Sequence, residues 1–282
     1  MVIKITRKPD NDFIRHLRES QNRDMEGWKC KCDIPGHGEF DTLVFDGDYE
    51  SIECPICREE RRKAEERKKA EQEFYDSLIK DNGVPADNYM ATFEKFEIRE
   101  DEGEQVKFED GLALRAVKAL FESIGSRDPY SAVRNVTLCG TTGNGKSFLG
   151  AALASAAKKV GKTVLYIQDS ALLSQVLACG KGKGLEADQL RRRMEEYDIV
   201  IVDDADHERW HAAKCAFFAD MVISRNSAMK GLLILSNRKY QDYVPAFGSA
   251  VESRLKRGKV ISWIHGTDRR EKQKQKLQEV AS

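Results

Sequence analysis

The chain has 282 residues, with 47 Lys or Arg balanced by 47 Asp or Glu, so its formal net charge is zero. This balance excludes a strong overall field for nucleic acid, and the length predicts one large domain or two smaller ones. No apolar run approaches the ~20 residues that span a bilayer, and the start, MVIKITRKPDNDF, lacks the apolar segment of a signal peptide. We therefore expect a cytoplasmic protein whose cysteines stay reduced.

A cluster of cysteines comes first along the chain. Four of the seven cysteines are Cys30, Cys32, Cys54 and Cys57, and the sequence GHGEF, which contains His37, lies between the two pairs. Two thiolates at C-x-x-C spacing can bind one tetrahedral Zn²⁺. The remaining ligands are Cys32 with His37 or Cys32 with Cys30, and spacing leaves both sets open. Such a short segment with few aliphatic residues buries little core, which favours a structural zinc site over free thiols.

A charge-dense segment, REERRKAEERKKAEQEFYDSLIK, follows at residues 58–80. Its Glu–Lys pairs four residues apart predict a solvated helix, and DNGVP ends it. Near the start of the chain, the spacing of Phe13, Ile14 and Leu17 is compatible with an apolar docking helix or a frayed end. We predict four regions: a zinc-binding and partner-docking module at 1–57, a charged linker helix at 58–83, an α/β domain at 84–270 and a charged tail at 271–282.

Apolar strands alternate with helical stretches from about residue 84 onward. This alternation is typical of a mostly parallel sheet with helices on both faces, a three-layer α/β/α fold. We predict strands at 133–140, 162–168, 198–204, 231–237 and 259–265, and helices at 146–160, 170–179, 186–197 and 211–225.

The sequence GTTGNGKS, residues 140–147, joins the first predicted strand to the first helix of this domain. Its glycines let backbone N–H groups turn toward phosphate oxygens, and the helix N-terminus adds its positive dipole end. Lys146 can reach the β- and γ-phosphates of ATP, and the Ser147 hydroxyl can ligate Mg²⁺. The loop residues predicted to bind the nucleotide are Gly140, Thr141, Thr142, Gly143, Asn144, Gly145, Lys146, Ser147 and Phe148.

Two further strands end in polar residues. IVIVDDAD, residues 199–206, places Asp203 to hold Mg²⁺ through a water and Asp204 to polarise the attacking water. GLLILSN ends at Asn237, whose amide can orient that water, although ordinary turn chemistry explains this dipeptide equally well.

Basic residues form two candidate surfaces for nucleic acid. Those directly after the acids are interleaved with an aromatic ring and can stack on single-stranded DNA: His207, Arg209, Trp210, His211 and Lys214. For the others, a solvated helix face is favoured: Lys181, Lys183, Arg191, Arg192 and Arg193.

Together these motifs resemble the helicase-loader branch of AAA+ ATPases, which contains the DnaC and DnaI loaders, their phage counterparts and the transposition ATPase IstB. The resemblance covers residues from about 30 to 270 and rests on GVPADNYMATFEKFE, GTTGNGKSFL, IVIVDDAD, LLILSN and SAVESRL. It is strongest to the phage-type loaders, in which HGEF and CPIC motifs precede a charged helix.

The resemblance implies a role for each motif. Lys146 and Ser147 match Walker A, Asp203 and Asp204 match Walker B, and Asn237 matches sensor 1. It further implies that Arg254 is the arginine finger, that the segment around Phe93 borders the adenine, and that Arg269 or Arg270 is the terminal arginine. It also implies that His37 is a zinc ligand and that the domain has no C-terminal helical lid. One departure from the family is Asp204, where Glu is usual, which predicts weak hydrolysis with ATP binding intact.

The function implied is an ATPase that binds a DnaB-type replicative helicase, delivers it onto single-stranded DNA in DNA replication, and forms a homo-oligomer through its ATP interfaces. An IstB-like transposition ATPase, which prefers duplex DNA and a transposase, is an alternative. A nucleotide-gated adaptor with little turnover is another, favoured by the weakened acid pair. A small-molecule P-loop kinase is disfavoured, because the sensor Asn and the SRL arginine have no role in it.

Overall fold

A computed structural model describes residues 3–7, 25–46, 48, 52–126, 128, 132–172, 192, 194–205 and 212–271. The chain divides into two compact units, Met1–Phe74 and Tyr75–Ser282. Within the described residues, no helix is both long and apolar enough to cross a membrane.

The first unit contains an antiparallel sheet of three strands: β1 (Ile3–Arg7), β2 (Met25–Cys32) and β3 (Glu39–Phe45), in the order β1-β2-β3. Cys30 pairs with Ile5 on one side and with Phe40 on the other, which fixes the register of all three strands. Between β2 and β3 the chain turns back, and the Cys32 N–H donates to the Gly38 carbonyl over 3.2 Å. Gly38 has a φ of +68°, a conformation that Gly adopts at little cost.

Helix α1 (Pro55–Lys80) begins three residues before the predicted start at 58. Pro55 suits the first helical position, because its fixed φ is helical and its missing N–H has no partner to lose there. Arg62 bridges Glu59 and Glu66 on neighbouring turns, which supports the solvated part of the helix. Near its end, Tyr75 and Leu78 are buried, so the last turns belong to the core of the second unit.

The second unit is built on five parallel strands in the order β5-β6-β7-β4-β8. The strands are β4 (Asn135–Gly140), β5 (Val164–Gln168), β6 (Ile199–Asp203), β7 (Gly231–Ser236) and β8 (Lys259–Ile264). The helices are α2 (Glu104–Glu122), α3 (Lys146–Lys159), α4 (Ala212–Ser227), α5 (Tyr240–Tyr243) and α6 (Ser249–Lys256), with 3₁₀ turns at Phe93–Lys95 and Val244–Phe247. The three-layer α/β/α fold with a parallel sheet is therefore confirmed.

Alternate residues of the central strands face different helices. Val200 and Val202 of β6 lie in one apolar cluster with Phe218 of α4, together with residues of α6. On the other face, Gly150 of α3 packs against Ile201 and Leu235, and a Cβ on Gly150 would lie 2.9 Å from Leu235 Cδ1. This two-sided burial explains why the strands are apolar throughout rather than alternating.

Several predictions fall on residues that the structure does not describe. They are the N-terminal segment with Phe13, Ile14 and Leu17, most of the helices at 170–179 and 186–197, the basic positions Lys181, Lys183, Arg191 and Arg193, and the segment from His207 to His211. They stay predictions.

Candidate nucleotide and metal sites

The phosphate loop lies between β4 and α3, as predicted. β4 ends at Gly140 and α3 begins at Lys146. Gly143 and Gly145 have φ values of +81° and +86°, a left-handed conformation that side chains other than Gly rarely adopt. The two glycines therefore permit the conformation of the loop. The loop runs directly into the N-terminus of α3, where free backbone N–H groups can bind an anion.

Lys146 lies against the backbone of this loop. Its side chain is buried, and its ammonium donates to the carbonyls of Gly140 and Thr141 over 2.7 and 2.8 Å. Ser147 and Phe148 follow on α3 and are half-buried, whereas Thr141 and Thr142 are exposed. The positive charge is thus held at the loop that would surround the phosphates.

The two acids of the β6 strand differ in their surroundings. Asp203 is buried and accepts hydrogen bonds on both oxygens, from the Asp204 N–H over 2.9 Å and from the Tyr166 hydroxyl. Burial raises the pKa of Asp203, which is the response expected of a carboxylate removed from water. Burial, with the Asp203 charge next, also raises the pKa of Tyr166 well above its usual value.

Asp204 is exposed and faces Asn237. Its φ of +53° is left-handed, which Asp tolerates better than most residues. The Asn237 amide donates to Asp204 Oδ1 over 2.9 Å. Because β7 lies between β4 and β6, the Asn237 amide at its end stands between the phosphate loop and the acids.

Sequence reasoning missed a buried polar network behind the phosphate loop. Asp110 of α2 accepts from Arg99 over 2.7 and 2.9 Å and from Arg269 over 2.7 Å. Arg99 also donates to the Asn144 side chain over 3.2 Å, and Asn144 in turn donates to the Ile264 carbonyl over 2.6 Å. The network therefore connects α2, the phosphate loop and the segment after β8.

The predicted adenine-bordering segment brings a different aromatic residue to the loop. Phe93 packs on Phe121 of α2, with ring centroids 6.1 Å apart. Phe96, three residues later, lies at the loop itself, where a Cβ on Gly145 would be 2.9 Å from its ring. Arg269 stacks over Phe96 at 4.6 Å. The geometry favours Phe96 over Phe93 as the aromatic residue nearest the nucleotide loop.

The three candidate arginines have different environments. Arg269 donates its backbone N–H to the Gly143 carbonyl over 3.1 Å, whereas Arg270 is exposed, so Arg269 is the one of the two that contacts the loop. The role of terminal arginine stays a prediction. Arg254 lies on α6 and donates to the Ala250 carbonyl of its own helix over 3.0 Å.

In the first unit, the side chains of Cys32, His37, Cys54 and Cys57 converge, and their ligand atoms all lie within 4.8 Å of one another. His37 contributes Nδ1, which is 3.2 Å from the Cys57 sulfur. Burial raises the pKa of Cys57 to about 12, and hydrogen bonds to the Cys32 and Cys54 thiols, followed by their charge, act in the same direction. Three sulfurs and one imidazole nitrogen fit a tetrahedral zinc site.

Cys30 is buried on β2 but lies outside this cluster. Of the two ligand sets left open by spacing, the geometry therefore favours Cys₃His over Cys₄. His37 directs its other nitrogen, Nε2, toward Glu60 of α1, 3.5 Å away.

A strand–loop–helix phosphate site, with an acid pair and an amide at the ends of two neighbouring strands, defines an ATPase of the AAA+ class. Residues 84–276 match the family model described as IstB-like ATP binding protein. Because this match covers more than half of the chain, the chain belongs to the IstB-like ATP-binding family, and the predicted resemblance to IstB/DnaC-type AAA+ ATPases is confirmed.

Individual relatives are distant. The protein YdaV of Escherichia coli (strain K12), described as uncharacterized, is 20% identical over 214 residues, which cover 76% of this chain and 81% of YdaV. A crystal structure of a DNA replication initiation factor is 23% identical with a TM-score of 0.55, over 68% of this chain and 55% of that one. AMPPCP-bound DnaA from Aquifex aeolicus is 23% identical with a TM-score of 0.53, over 70% and 56%. The chain thus spans just over half of these solved chains, and the likeness concerns the fold.

Proposed function

We propose that this ATPase loads a DnaB-type replicative helicase onto single-stranded DNA during DNA replication. The observation that carries the proposal is the combination of two sites in one chain. A Cys₃His cluster occupies one compact unit, and a phosphate loop with its acid pair occupies the next. The phage-type loaders that the sequence resembles have their HGEF and CPIC motifs and their ATPase domain in this order.

In the proposed ATP site, Lys146 binds the β- and γ-phosphates, and Ser147 and Asp203 hold Mg²⁺. Mg²⁺ held by Ser147 and Asp203 would supply positive charge to stabilise the charge that develops on the phosphate oxygens. Asp204 would accept a proton from the attacking water. Asn237, whose amide donates to Asp204 Oδ1 over 2.9 Å, would help to position that carboxylate and the water beside it. Arg254 is available to a neighbouring subunit, since its guanidinium contacts its own helix rather than its own phosphate loop.

Hydrolysis at this site is proposed to be slow. The Asp204 carboxylate is one methylene shorter than the Glu usual in this family, and its left-handed backbone and its bond to Asn237 fix its position. ATP would then persist on the protein, and the ATP-bound state would hold the helicase until single-stranded DNA or the helicase itself accelerates turnover.

The first unit is proposed to dock the helicase, with zinc as its structural metal. The second unit is proposed to contact single-stranded DNA close to the acids. The basic segment from His207 to Lys214 follows Asp203 and Asp204 directly in the chain.

The family match itself favours a second candidate, an IstB-like transposition ATPase acting on duplex DNA. The strained, short acid at position 204 favours a third, an adaptor that binds ATP and scarcely hydrolyses it.

Binding assays with a DnaB-type helicase test the proposal. We expect the full chain to bind the helicase with ATP present, and single-stranded DNA to raise its ATPase rate more than duplex DNA does. A fragment beginning at residue 75, which keeps the buried Tyr75 and Leu78, should bind ATP but not helicase. Lys146→Ala in the full chain is the matched control for dependence on nucleotide.

Two results would overturn the proposal. Stimulation by duplex DNA alone, without helicase binding, would favour the transposition ATPase. Equal helicase affinity in the fragment and the full chain would show that the first unit does not dock the partner.

A further inference from the structure

The buried hydroxyl of Tyr166 has no role in the site described so far. Tyr166 lies in β5, which pairs with β6 in parallel, so that Tyr166 stands beside Ile201 and Gln168 beside Asp203. Only 2% of Tyr166 is exposed, and its hydroxyl donates to Oδ2 of Asp203. A buried hydroxyl costs free energy unless it makes a hydrogen bond, and a Phe would fill the same space without that cost. The bond to Asp203 offsets the cost of burying the Tyr166 hydroxyl.

The bond fixes the orientation of the Asp203 carboxylate. Oδ2 accepts from the Tyr166 hydroxyl, and Oδ1 accepts from the Asp204 N–H over 2.9 Å. Rotation of the carboxylate about its last bond would break one or both of these hydrogen bonds, and Asp203 is buried, with 3% of its surface exposed. The Ser147 side chain also interacts with Asp203, and each carboxylate oxygen has lone pairs for more than one donor.

Tyr166 is itself held rigidly from its other side. Its backbone N–H donates to the Asn82 carbonyl over 2.8 Å, at the start of the second unit after α1. Gly83 packs so closely on the Tyr166 carbonyl that a Cβ on Gly83 would lie 2.3 Å from that oxygen. Asn82 is anchored in turn, because its side chain donates to the Val164 carbonyl over 2.7 Å. The donor that orients Asp203 therefore has little freedom to move.

From this geometry we propose that Tyr166 is a positioning residue that orients the Asp203 carboxylate for Mg²⁺–nucleotide binding. The inference rests on the proposed role of Asp203 as the carboxylate that holds Mg²⁺. Groups that hydrogen-bond to a metal-binding carboxylate typically change metal affinity by about 10–100-fold when they are removed. Tyr166 acts through Asp203 and does not touch the nucleotide.

The test measures binding of a fluorescent, slowly hydrolysed ATP analogue as a function of Mg²⁺ concentration. Tyr166→Phe should bind the analogue in EDTA as the parent does, and should need about 10-fold more Mg²⁺ for half-maximal enhancement of binding. In turnover, kcat at limiting Mg²⁺ should fall, with recovery at high Mg²⁺. Tyr240→Phe is the matched control, because Tyr240 is also a buried tyrosine of this unit and its hydroxyl lies 3.5 Å from a backbone carbonyl.

Asp203→Asn separates the two ways in which the idea can fail. If Asp203→Asn shifts the Mg²⁺ dependence and Tyr166→Phe does not, Tyr166 is structural and the inference is wrong while the site stands. If neither variant shifts it, the Mg²⁺ role of Asp203 is wrong, and the inference falls with it. An equal shift in Tyr240→Phe would also overturn it, because the effect would then be general to buried tyrosines.

Discussion

The two units of the chain differ in how much apolar core they contain. Among the described residues of the first unit, the buried apolar positions are Cys30, Cys32, Val44 and Cys54, and two of these belong to the metal cluster. The second unit has an extensive apolar core on both faces of its sheet. So small a core cannot offset the conformational entropy lost on folding, whereas a five-stranded sheet covered by helices can.

The second unit contains a charged side chain, Arg225, inside its apolar core. Arg225 is fully buried and donates to the carbonyls of Met194, Tyr197, Asp198 and Gly231. Burial lowers its pKa to about 10, yet the guanidinium is surrounded by acceptors. The core of the second unit is therefore large enough to bury a charged group together with its acceptors. In the first unit, by contrast, three thiols and one imidazole converge within 4.8 Å of one another, an arrangement that fits a metal ion.

Metal removal should have the largest effect on the difference between the two units. We expect about one Zn²⁺ per chain, and a strong chelator should unfold the first unit while the second keeps its structure and its ATP binding. Structural zinc contributes an apparent ~10–16 kcal/mol in zinc-finger peptides at neutral pH, far more than this small core could supply. Metal analysis and two-dimensional NMR of the parent and the chelated protein measure it.

Two cysteine variants make the chelation experiment specific. Cys54→Ser should lose the metal and the first unit, whereas Cys30→Ser should keep the metal, because Cys30 lies outside the cluster. A first unit that stays folded without metal would contradict the assignment.

The next largest expected effect is the loss of ATP turnover when Arg254, the proposed contact between subunits, is removed. Arg254→Ala should keep ATP affinity and lose most turnover, since arginine fingers contribute roughly 10³–10⁵ in rate in well-studied systems. Mixing this variant with Lys146→Ala should restore some composite sites, because each variant then supplies the residue that the other lacks. If both variants fold and associate but the mixture stays inactive, Arg254 does not act in trans.

The two units were also unequally predictable from sequence. Strands β4 to β8 were expected to within two residues at each end, since buried parallel strands are continuous apolar runs. The three strands of the first unit were missed. In β2, MEGWKCKC, and β3, EFDTLVF, charged residues interrupt the apolar ones, so neither strand is a continuous apolar run.

At the site itself, local motifs were predictable and long-range partners were not. The phosphate loop and the acid pair are contiguous in sequence. Arg99, by contrast, meets Thr267 from 168 residues away, and Tyr166 meets Asp203 from 37 residues away. A tyrosine inside the otherwise apolar run VLYI was the signal available for Tyr166.

The acid pair provides a smaller, graded test. Asp204→Asn should lower hydrolysis without weakening ATP binding, and Asp204→Glu should raise it, because the longer side chain moves the carboxylate toward the attacking water. A misplacement of about 1 Å can cost on the order of 10²-fold in rate. Single-turnover assays decide the matter. If Asp204→Asn hydrolyses ATP as fast as the parent, another residue activates the water.

The smallest expected effect is a loss of zinc affinity when Glu60, which lies beside His37, is removed. His37 presents Nδ1 to the three sulfurs, so Nε2 carries the proton and points to the Glu60 carboxylate 3.5 Å away. A carboxylate in this place fixes the ring orientation and strengthens the nitrogen as a ligand, typically by about 10–100-fold in metal affinity. Because the Glu60 side chain is 63% exposed and the distance is long, we expect Glu60→Ala to lower zinc affinity by about 10-fold, the small end of that range.

Competition with a chromophoric zinc chelator measures the change in zinc affinity. Glu59→Ala, which removes the neighbouring carboxylate that pairs with Arg62, is the control. Equal zinc affinities for both variants would mean that Glu60 does not orient His37, and the cluster would then depend on its four ligands and the fold around them.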